Sequence, residues 1–323
     1  MKTILVRGTG GPEVLESAEQ PTPHPGPGEV LVRVEAAGVN FIDIYHRTGA
    51  YPRDLPFTPG EEGAGIVEAV GAGVNEPLPG DRVAWAGSPG SYATHVVVRA
   101  DRLVPVPDAV TARQAAAVML QGMTADFLVR STFRLGAGQS CVVHAAAGGV
   151  GLLLVQMAKR VGARVLAITS TEEKAKLARN AGADDAVLSV GEPFDQAVRA
   201  RTGGAGVDVV YDSVGASTFD RSLSCLRPRG TMVLFGQASG RVPPFDLQVL
   251  NARGSLFVTR PKLGDYVATR AELMDRASRV LGAVATGDLH VRIYREYPMS
   301  QAAEAHTALA SRATTGKLLI VPE

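Results

Sequence analysis

One segment constrains this chain more than any other. Residues 140–145 (SCVVHA) read as a short apolar strand and residues 149–161 as an apolar helix. Between them lies Ala145-Ala146-Ala147-Gly148-Gly149-Val150-Gly151. A strand that turns directly into a helix leaves the first helical N–H groups unpaired and points the positive end of the helix dipole forward. Written as Ala146-x-Gly148-x-x-Gly151, the turn fits the fingerprint of dinucleotide-binding sheets, with alanine where the first glycine usually stands. Gly148 is predicted to let the backbone approach a pyrophosphate, and Gly151 to let the helix pack closely on the strand. Gly149 and Val150 open the helix toward the anion. The alternative is a tight strand–helix turn that holds nothing.

The pattern around the turn decides between them. Strand-like runs at 164–169, 186–190, 207–214, 231–236 and 255–260 follow the first strand, with helical stretches at 171–181, 193–201, 217–226 and 246–253 between them. Six strands with interposed helices predict a doubly wound parallel sheet. Residues 1–110 have a different texture. Short runs at 4–7, 29–35, 65–70, 81–85 and 92–98 are separated by Gly and Pro, which predicts a small, bent β-domain. Residues 111–129 are Ala-rich with a helical period. The last 60 or so residues begin with a helix at 266–286 and end in a strand at 317–321, read as returning to the first domain. The expected division is 1–123 with 263–323, and 124–262.

The end of the second strand bears on the type of dinucleotide. A site for an unphosphorylated ribose usually carries Asp or Glu there, about 20 residues past the turn. This chain has Thr169-Ser170-Thr171, with Lys174 one helical turn on. Hydroxyls and a cation accept a 2′-phosphate that a carboxylate would repel, so NADPH is expected over NADH. Two features oppose this: Glu172 and Glu173 lie close by, and Ser170-x-x-Glu173 also fits a capping box.

Composition narrows the class. The chain has 323 residues, 46% hydrophobic, with Lys+Arg 33 against Asp+Glu 32. That balance excludes a disordered chain and a basic nucleic-acid platform. Two cysteines, Cys141 and Cys225, cannot build a disulfide scaffold or a four-thiolate zinc site. No signal-peptide pattern opens the chain, and no run of about 18 apolar residues occurs. A cytoplasmic protein is expected.

Three stretches together carry a family resemblance: residues 38–52 (GVNFIDIYHRTGAYP) continuing to 59–65 (PGEEGAG), residues 210–215 (VYDSVG) leading to Gly236-Gln237, and the turn at 144–151. They resemble the zinc-independent quinone oxidoreductases of the medium-chain dehydrogenase/reductase superfamily, the group that includes the zeta-crystallins. The resemblance runs the length of the chain and implies an α/β protein with a GroES-like β-rich catalytic domain joined to a six-stranded parallel Rossmann domain. It also implies a nicotinamide held in the cleft between them and a homodimer or tetramer joined through residues 255–260. Thr124, Gly148, Gly149, Val150, Gly151, Thr169, Ser170, Lys174, Phe235, Gly236 and Ser239 match family cofactor positions. Asn40 and Tyr51 are implied to line the nicotinamide site. The Tyr51 phenol is the leading proton donor or oxygen anchor, with Tyr45 second and Asp43 orienting the loop. Close family members often carry Tyr for adenine stacking where this chain has Ser189.

Zinc members of the superfamily use Cys where this chain has Asn40 and His where it has Glu61. An amide oxygen and a carboxylate do not replace thiolate and imidazole as a Zn²⁺ set, so no metal is expected. Without a Lewis acid, quinones and activated alkenes are suitable acceptors and simple alcohols are not. The resulting expectation is NADPH-dependent quinone reduction. The alternatives are an enoyl or alkene reductase of the same superfamily, or an NADPH-binding protein with a structural or RNA-binding role, which the near-zero net charge argues against.

Overall fold

The computed structural model describes residues 1–191 and 193–323. The chain forms two compact units, Met1–Met123 with Tyr266–Glu323, and Thr124–Asp265.

In the second unit six strands form one parallel sheet. Its spatial order is Asp185–Leu188, Arg164–Thr169, Ser140–Val143, Val207–Asp212, Leu226–Leu234 and Phe257–Thr259. Counted along the chain this is third, second, first, fourth, fifth, sixth, the strand order of dinucleotide-binding sheets. The inner strands are mostly apolar on both faces because helices cover both. Val142, Leu166, Ile168, Val187 and Met232 pack with Phe194, Phe219 and Leu223 from the covering helices. The last strand lies at the sheet edge, with Phe257 61% and Val258 37% exposed.

The first unit is built on Glu29–Val39, an eleven-residue strand buried along most of its length. It pairs antiparallel with Glu62–Val70, His95–Arg99 and the C-terminal strand Lys317–Val321. Arg82–Ala86, Val104–Pro105 and Ile293–Pro298 complete a seven-stranded sheet. Gly63 sits opposite Trp85, where a Cβ would come within 2.5 Å of the indole ring. Only glycine lets Trp85 lie flat and fully buried, its Nε1–H donating to Ser91 Oγ at 3.0 Å.

Several elements differ from expectation. The helix expected at 266–286 is two: Leu263–Tyr266, then Arg270–Ala285, started by a capping box between Thr269 and Glu272. The strand expected at 92–98 begins only at His95, because Tyr92 is drawn inward by its own hydrogen bonds. Phe41–Arg47 and Ala302–Ala310 are helices in segments assigned no helix, and Ile293–Pro298 is an additional strand. Among the described residues no helix is long and apolar enough to cross a membrane.

Candidate functional site

In the second unit the strand order reverses between Ser140–Val143 and Val207–Asp212, and ligands of open α/β sheets bind beyond the strand ends at such a point. The glycine turn lies there. His144 N–H donates to Tyr211 O at 3.0 Å, and Ala145 takes a left-handed φ of 47° to reverse the chain. Gly148 then caps the helix Gly149–Arg160, its N–H bonded to Ala145 O at 2.8 Å. A Cβ on Gly151 would fall 2.3 Å from Ala145 O and 2.8 Å from Ala146 Cα. Gly151 is thus required by backbone packing, while the N–H groups of Gly149, Val150 and Gly151 have no partner one turn back in the helix.

The neighbouring loop is fastened by Asp212. Its Oδ1 accepts from Val214 N–H (2.7 Å) and Gly215 N–H (3.1 Å), and its Oδ2 from Thr218 (2.7 Å) and Ser222 (2.8 Å) hydroxyls. Ser222 Oγ also lies 2.9 Å from His144 Nε2, but all three side chains are buried and held by one another. Phe235 N–H and Gly236 N–H both reach Asp212 O, at 2.8 and 3.4 Å. Ser239 Oγ donates to Val214 O at 2.8 Å and accepts from Ser217 N–H at 3.0 Å, so its hydroxyl serves the loop. Thr124 is nearly buried at the start of the unit.

At the end of the second strand the alternative capping box from Ser170 to Glu173 does not form. Thr171 caps the helix Glu172–Asn180 instead, accepting from Lys174 N–H at 3.3 Å. Thr169 is buried, with its hydroxyl donating to Thr171 O. Ser170 is left exposed beside the helix start, and partial burial lowers the Lys174 ammonium below its ordinary range. Ser189, also exposed, directly follows the third strand.

The first unit gathers the remaining candidates around the helix Phe41–Arg47. Asp43 starts it: its Oδ2 accepts from Asn40 N–H at 2.8 Å and from the Tyr92 hydroxyl at 3.3 Å, and its Oδ1 accepts from Glu61 N–H at 3.1 Å. Burial and the Glu61 carboxylate push Asp43 up to about 7, against the pull of its N–H donors and Lys317. Tyr45 and Tyr51 meet with ring centroids 5.1 Å apart, and Tyr51 N–H donates to Tyr45 O at 3.0 Å. His46 edges onto Tyr51, and the partly exposed Arg53 holds Glu61 Oε1 at 2.7 Å. Asn40 is 3% exposed, with all its amide valences occupied: Oδ1 accepts from Lys317 Nζ (2.8 Å) and Gln121 Nε2 (3.2 Å), and Nδ2 donates to Glu62 Oε2 (2.9 Å) and Gly38 O (3.2 Å). Gln121, Lys317, Tyr92 and His306 carry no motif signal in the sequence, and Glu62, inside the 59–65 stretch, has no role readable there. Their roles come from contacts between distant segments.

A buried chain of polar groups stands behind Asp43. Arg47 can only donate, so its 3.2 Å contact makes His306 Nδ1 the acceptor. Nε2 then carries the proton and donates to Tyr92 Oη at 3.0 Å, leaving the phenol hydrogen for Asp43. Burial, then the Arg47 charge, lowers His306 to about 3 from 6.5. The unfolded chain therefore takes up a proton in this window that the folded chain refuses, and stability falls as pH drops from 6.5 toward 3. His306→Gln keeps one acceptor and one donor but does not titrate. Its urea midpoint is expected to change less than wild type between about pH 7.5 and about pH 4.5. An equal change would show that His306 is not a source of acid lability.

Zinc chemistry does not fit these residues. The Asn40 carboxamide oxygen faces an ammonium and Glu61 is paired with a guanidinium. Among the described residues no group of three or more His, Cys, Asp or Glu is placed to hold a metal. Burial pushes the Cys141 thiol far above its ordinary range and Cys225 up to about 12, so neither is a ready thiolate.

A doubly wound sheet with a glycine turn at its switch point, in a chain that also folds a GroES-like β unit, defines a medium-chain dehydrogenase/reductase. Residues 26–108 match the alcohol dehydrogenase GroES-like domain and residues 149–274 the zinc-binding dehydrogenase domain. A quinone oxidoreductase of Pseudomonas aeruginosa is 45% identical, over 99% of both chains. The Escherichia coli quinone oxidoreductase solved with NADPH superposes with a TM-score of 0.98 at 41% identity, covering 100% of both chains. A Burkholderia 2-haloacrylate reductase is 39% identical over 99% of this chain and 98% of its own. The chain belongs to the quinone oxidoreductase family of the medium-chain dehydrogenase/reductases.

Proposed function

We propose that this protein reduces quinones with NADPH and without a metal ion. The observation that carries the reading is the glycine turn at the sheet's switch point, supported by the E. coli quinone oxidoreductase, which is solved with NADPH. Gly148, Gly149, Val150 and Gly151 would hold the pyrophosphate, with Thr124, Phe235, Gly236 and Ser239 shaping the surrounding walls. Thr169, Ser170 and Lys174 would take the ribose phosphate. Bound NADPH supplies a hydride. The chain's own part is to orient the acceptor and offer a proton. Tyr51, partly exposed and braced by Tyr45 and His46, is the group for that, with Tyr45 second. Asn40, its amide fully occupied, offers no free polar group to the acceptor.

The phosphate assignment is tested by Ser170→Ala/Lys174→Ala. NADPH affinity is expected to fall about tenfold or more, with NADH affinity nearly unchanged, since one charge-assisted contact contributes about 1.5–3 kcal/mol. An unaltered NADPH-to-NADH ratio would refute it. The acceptor class is tested by comparing turnover of quinones and 2-enals. The 2-haloacrylate reductase relative favours activated alkenes as the second reading, and turnover confined to them would replace the first. A homodimer along the exposed edge Phe257–Thr259 belongs to the same proposal, and a monomeric mass by light scattering would count against it.

A further inference from the structure

We propose that Lys317 is a positioning residue for this reaction: its ammonium, paired with Glu62, sets the orientation of the Asn40 carboxamide and thereby the start of the helix that carries Tyr45. The proposal rests on the reading of the protein as an NADPH-dependent reductase.

Four side chains form a dry polar cluster. Lys317 is 1% exposed, Glu62 0%, Asn40 3% and Gln121 9%. Lys317 Nζ donates to Asn40 Oδ1 and to Glu62 Oε2, Glu62 Oε1 accepts from Leu120 N–H at 2.6 Å, and Gln121 Nε2 donates to Asn40 Oδ1. An ammonium can only donate and a carboxylate can only accept. Between the two, the Asn40 amide has one permitted orientation, oxygen toward Lys317 and nitrogen toward Glu62. Without the two charges only the Gly38 carbonyl, accepting from Nδ2 at 3.2 Å, would still favour one orientation, while Gln side chains can present either end.

Asn40 is also the residue from which the helix Phe41–Arg47 starts: its side chain is fixed by the cluster, and its backbone N–H donates to Asp43 Oδ2 at 2.8 Å. One turn on, Tyr45 accepts from Tyr51 N–H and braces its ring. The path from Lys317 to the Tyr51 phenol therefore runs through Asn40, the helix backbone from Asp43 to Tyr45, and the Tyr45–Tyr51 contact. Burial lowers the Lys317 ammonium while Glu62 raises it, the balance of a buried ion pair. Such pairs seldom stabilise a fold more than apolar residues of the same volume, and some fix one arrangement among several. The rest of the strand, Leu318-Leu319-Ile320-Val321, shows that an apolar residue would suit position 317 in packing terms.

The cluster also shows where the charge could be moved. Gln121 Nε2 already touches Asn40 Oδ1, its own Oε1 is buried with no partner, and a lysine side chain is one atom longer. Lysine at 121 brings an ammonium to the same acceptor from a different element.

The test compares wild type with Lys317→Met/Glu62→Gln, which removes both charges and leaves no bare ion, and Lys317→Met/Gln121→Lys, which relocates the ammonium. NADPH affinity, kcat and KM for a small benzoquinone, and exchange protection of the Asn40 side-chain amide by NMR are measured on each. The neutral variant is expected to lose about tenfold to a hundredfold in kcat with NADPH affinity within about twofold of wild type, and to lose amide protection. The relocated variant is expected to recover kcat to within about threefold of wild type, with the protection restored. Wild-type kcat in the neutral variant, unchanged protection in it, or a folded relocated variant that recovers neither, overturns the proposal. If the relocated variant does not fold, the neutral variant decides. If wild type turns over no quinone, the functional reading fails, and the amide protection still decides the positioning role.

Discussion

Gly151→Val is expected to weaken NADPH binding about a hundredfold, equivalent to ~3 kcal/mol, and to lower stability by about 1–3 kcal/mol. The new Cβ would stand 2.3 Å from Ala145 O and 2.8 Å from Ala146 Cα. Both are backbone atoms, so no rotamer change relieves the contact. The helix Gly149–Arg160 must lift away from the turn, and the N–H groups of Gly149, Val150 and Gly151 move with it. Gly148→Ala is the graded comparison. Its Cβ meets Ala145 O at 3.1 Å, a contact relieved by a shift of a few tenths of an ångström, so a smaller loss is expected. Fluorescence titration and thermal melting read both effects. A Gly151→Val protein with unaltered NADPH affinity would mean that the pyrophosphate is held elsewhere.

The second large effect lies in the other unit. Glu62→Leu leaves the Lys317 ammonium buried without its counter-charge and removes the acceptor of Leu120 N–H and of Asn40 Nδ2. The expected cost is about 3–5 kcal/mol, read as a fall in urea midpoint. The cost has a pH signature. With Glu62 gone, burial lowers the Lys317 pKa further below its ordinary value, so the folded state refuses a proton that the unfolded state binds. The penalty is greatest at low pH and shrinks as pH rises toward the ordinary lysine range. Glu62→Leu/Lys317→Met removes both charges and is expected to regain most of the loss. A single variant as stable as wild type would show that the pair is not closely coupled.

The two units differ in how far they could be read from the sequence. In the Thr124–Asp265 unit the inner strands contain apolar runs separated by glycine-containing turns, because a parallel sheet covered on both faces needs apolar residues there, whereas Leu226–Leu234 carries the charged Arg227 and Arg229 near its start. The order of its elements and the location of the glycine turn follow from that pattern. The first unit hides more. Ile293–Pro298 has three successive exposed residues, and Arg295 and Glu296 erase the apolar alternation that marks a strand. The helix Phe41–Arg47 is only seven residues long and rich in β-branched and aromatic residues. Its one signal was Asn40 followed three residues later by Asp43. Ser170 and Thr171 are adjacent hydroxyls either of which could cap the next helix, and only the observed bond from Lys174 N–H decides for Thr171. Lys317 could not be found at all: a lysine at the head of an apolar strand reads as a solvent-facing end, and its partner Glu62 is 255 positions away. For Tyr51 and Tyr45 the sequence offers only the family resemblance, and the structure adds their ring contact.

NADPH held at the glycine turn and side chains that complete the chemistry with no metal ion are tested together by steady-state oxidation of NADPH by a small quinone, with purified protein dialysed against a strong chelator. Saturable turnover that chelation leaves unchanged is expected. Turnover that vanishes on chelation and returns with added zinc, or no turnover with any quinone, would contradict this reading.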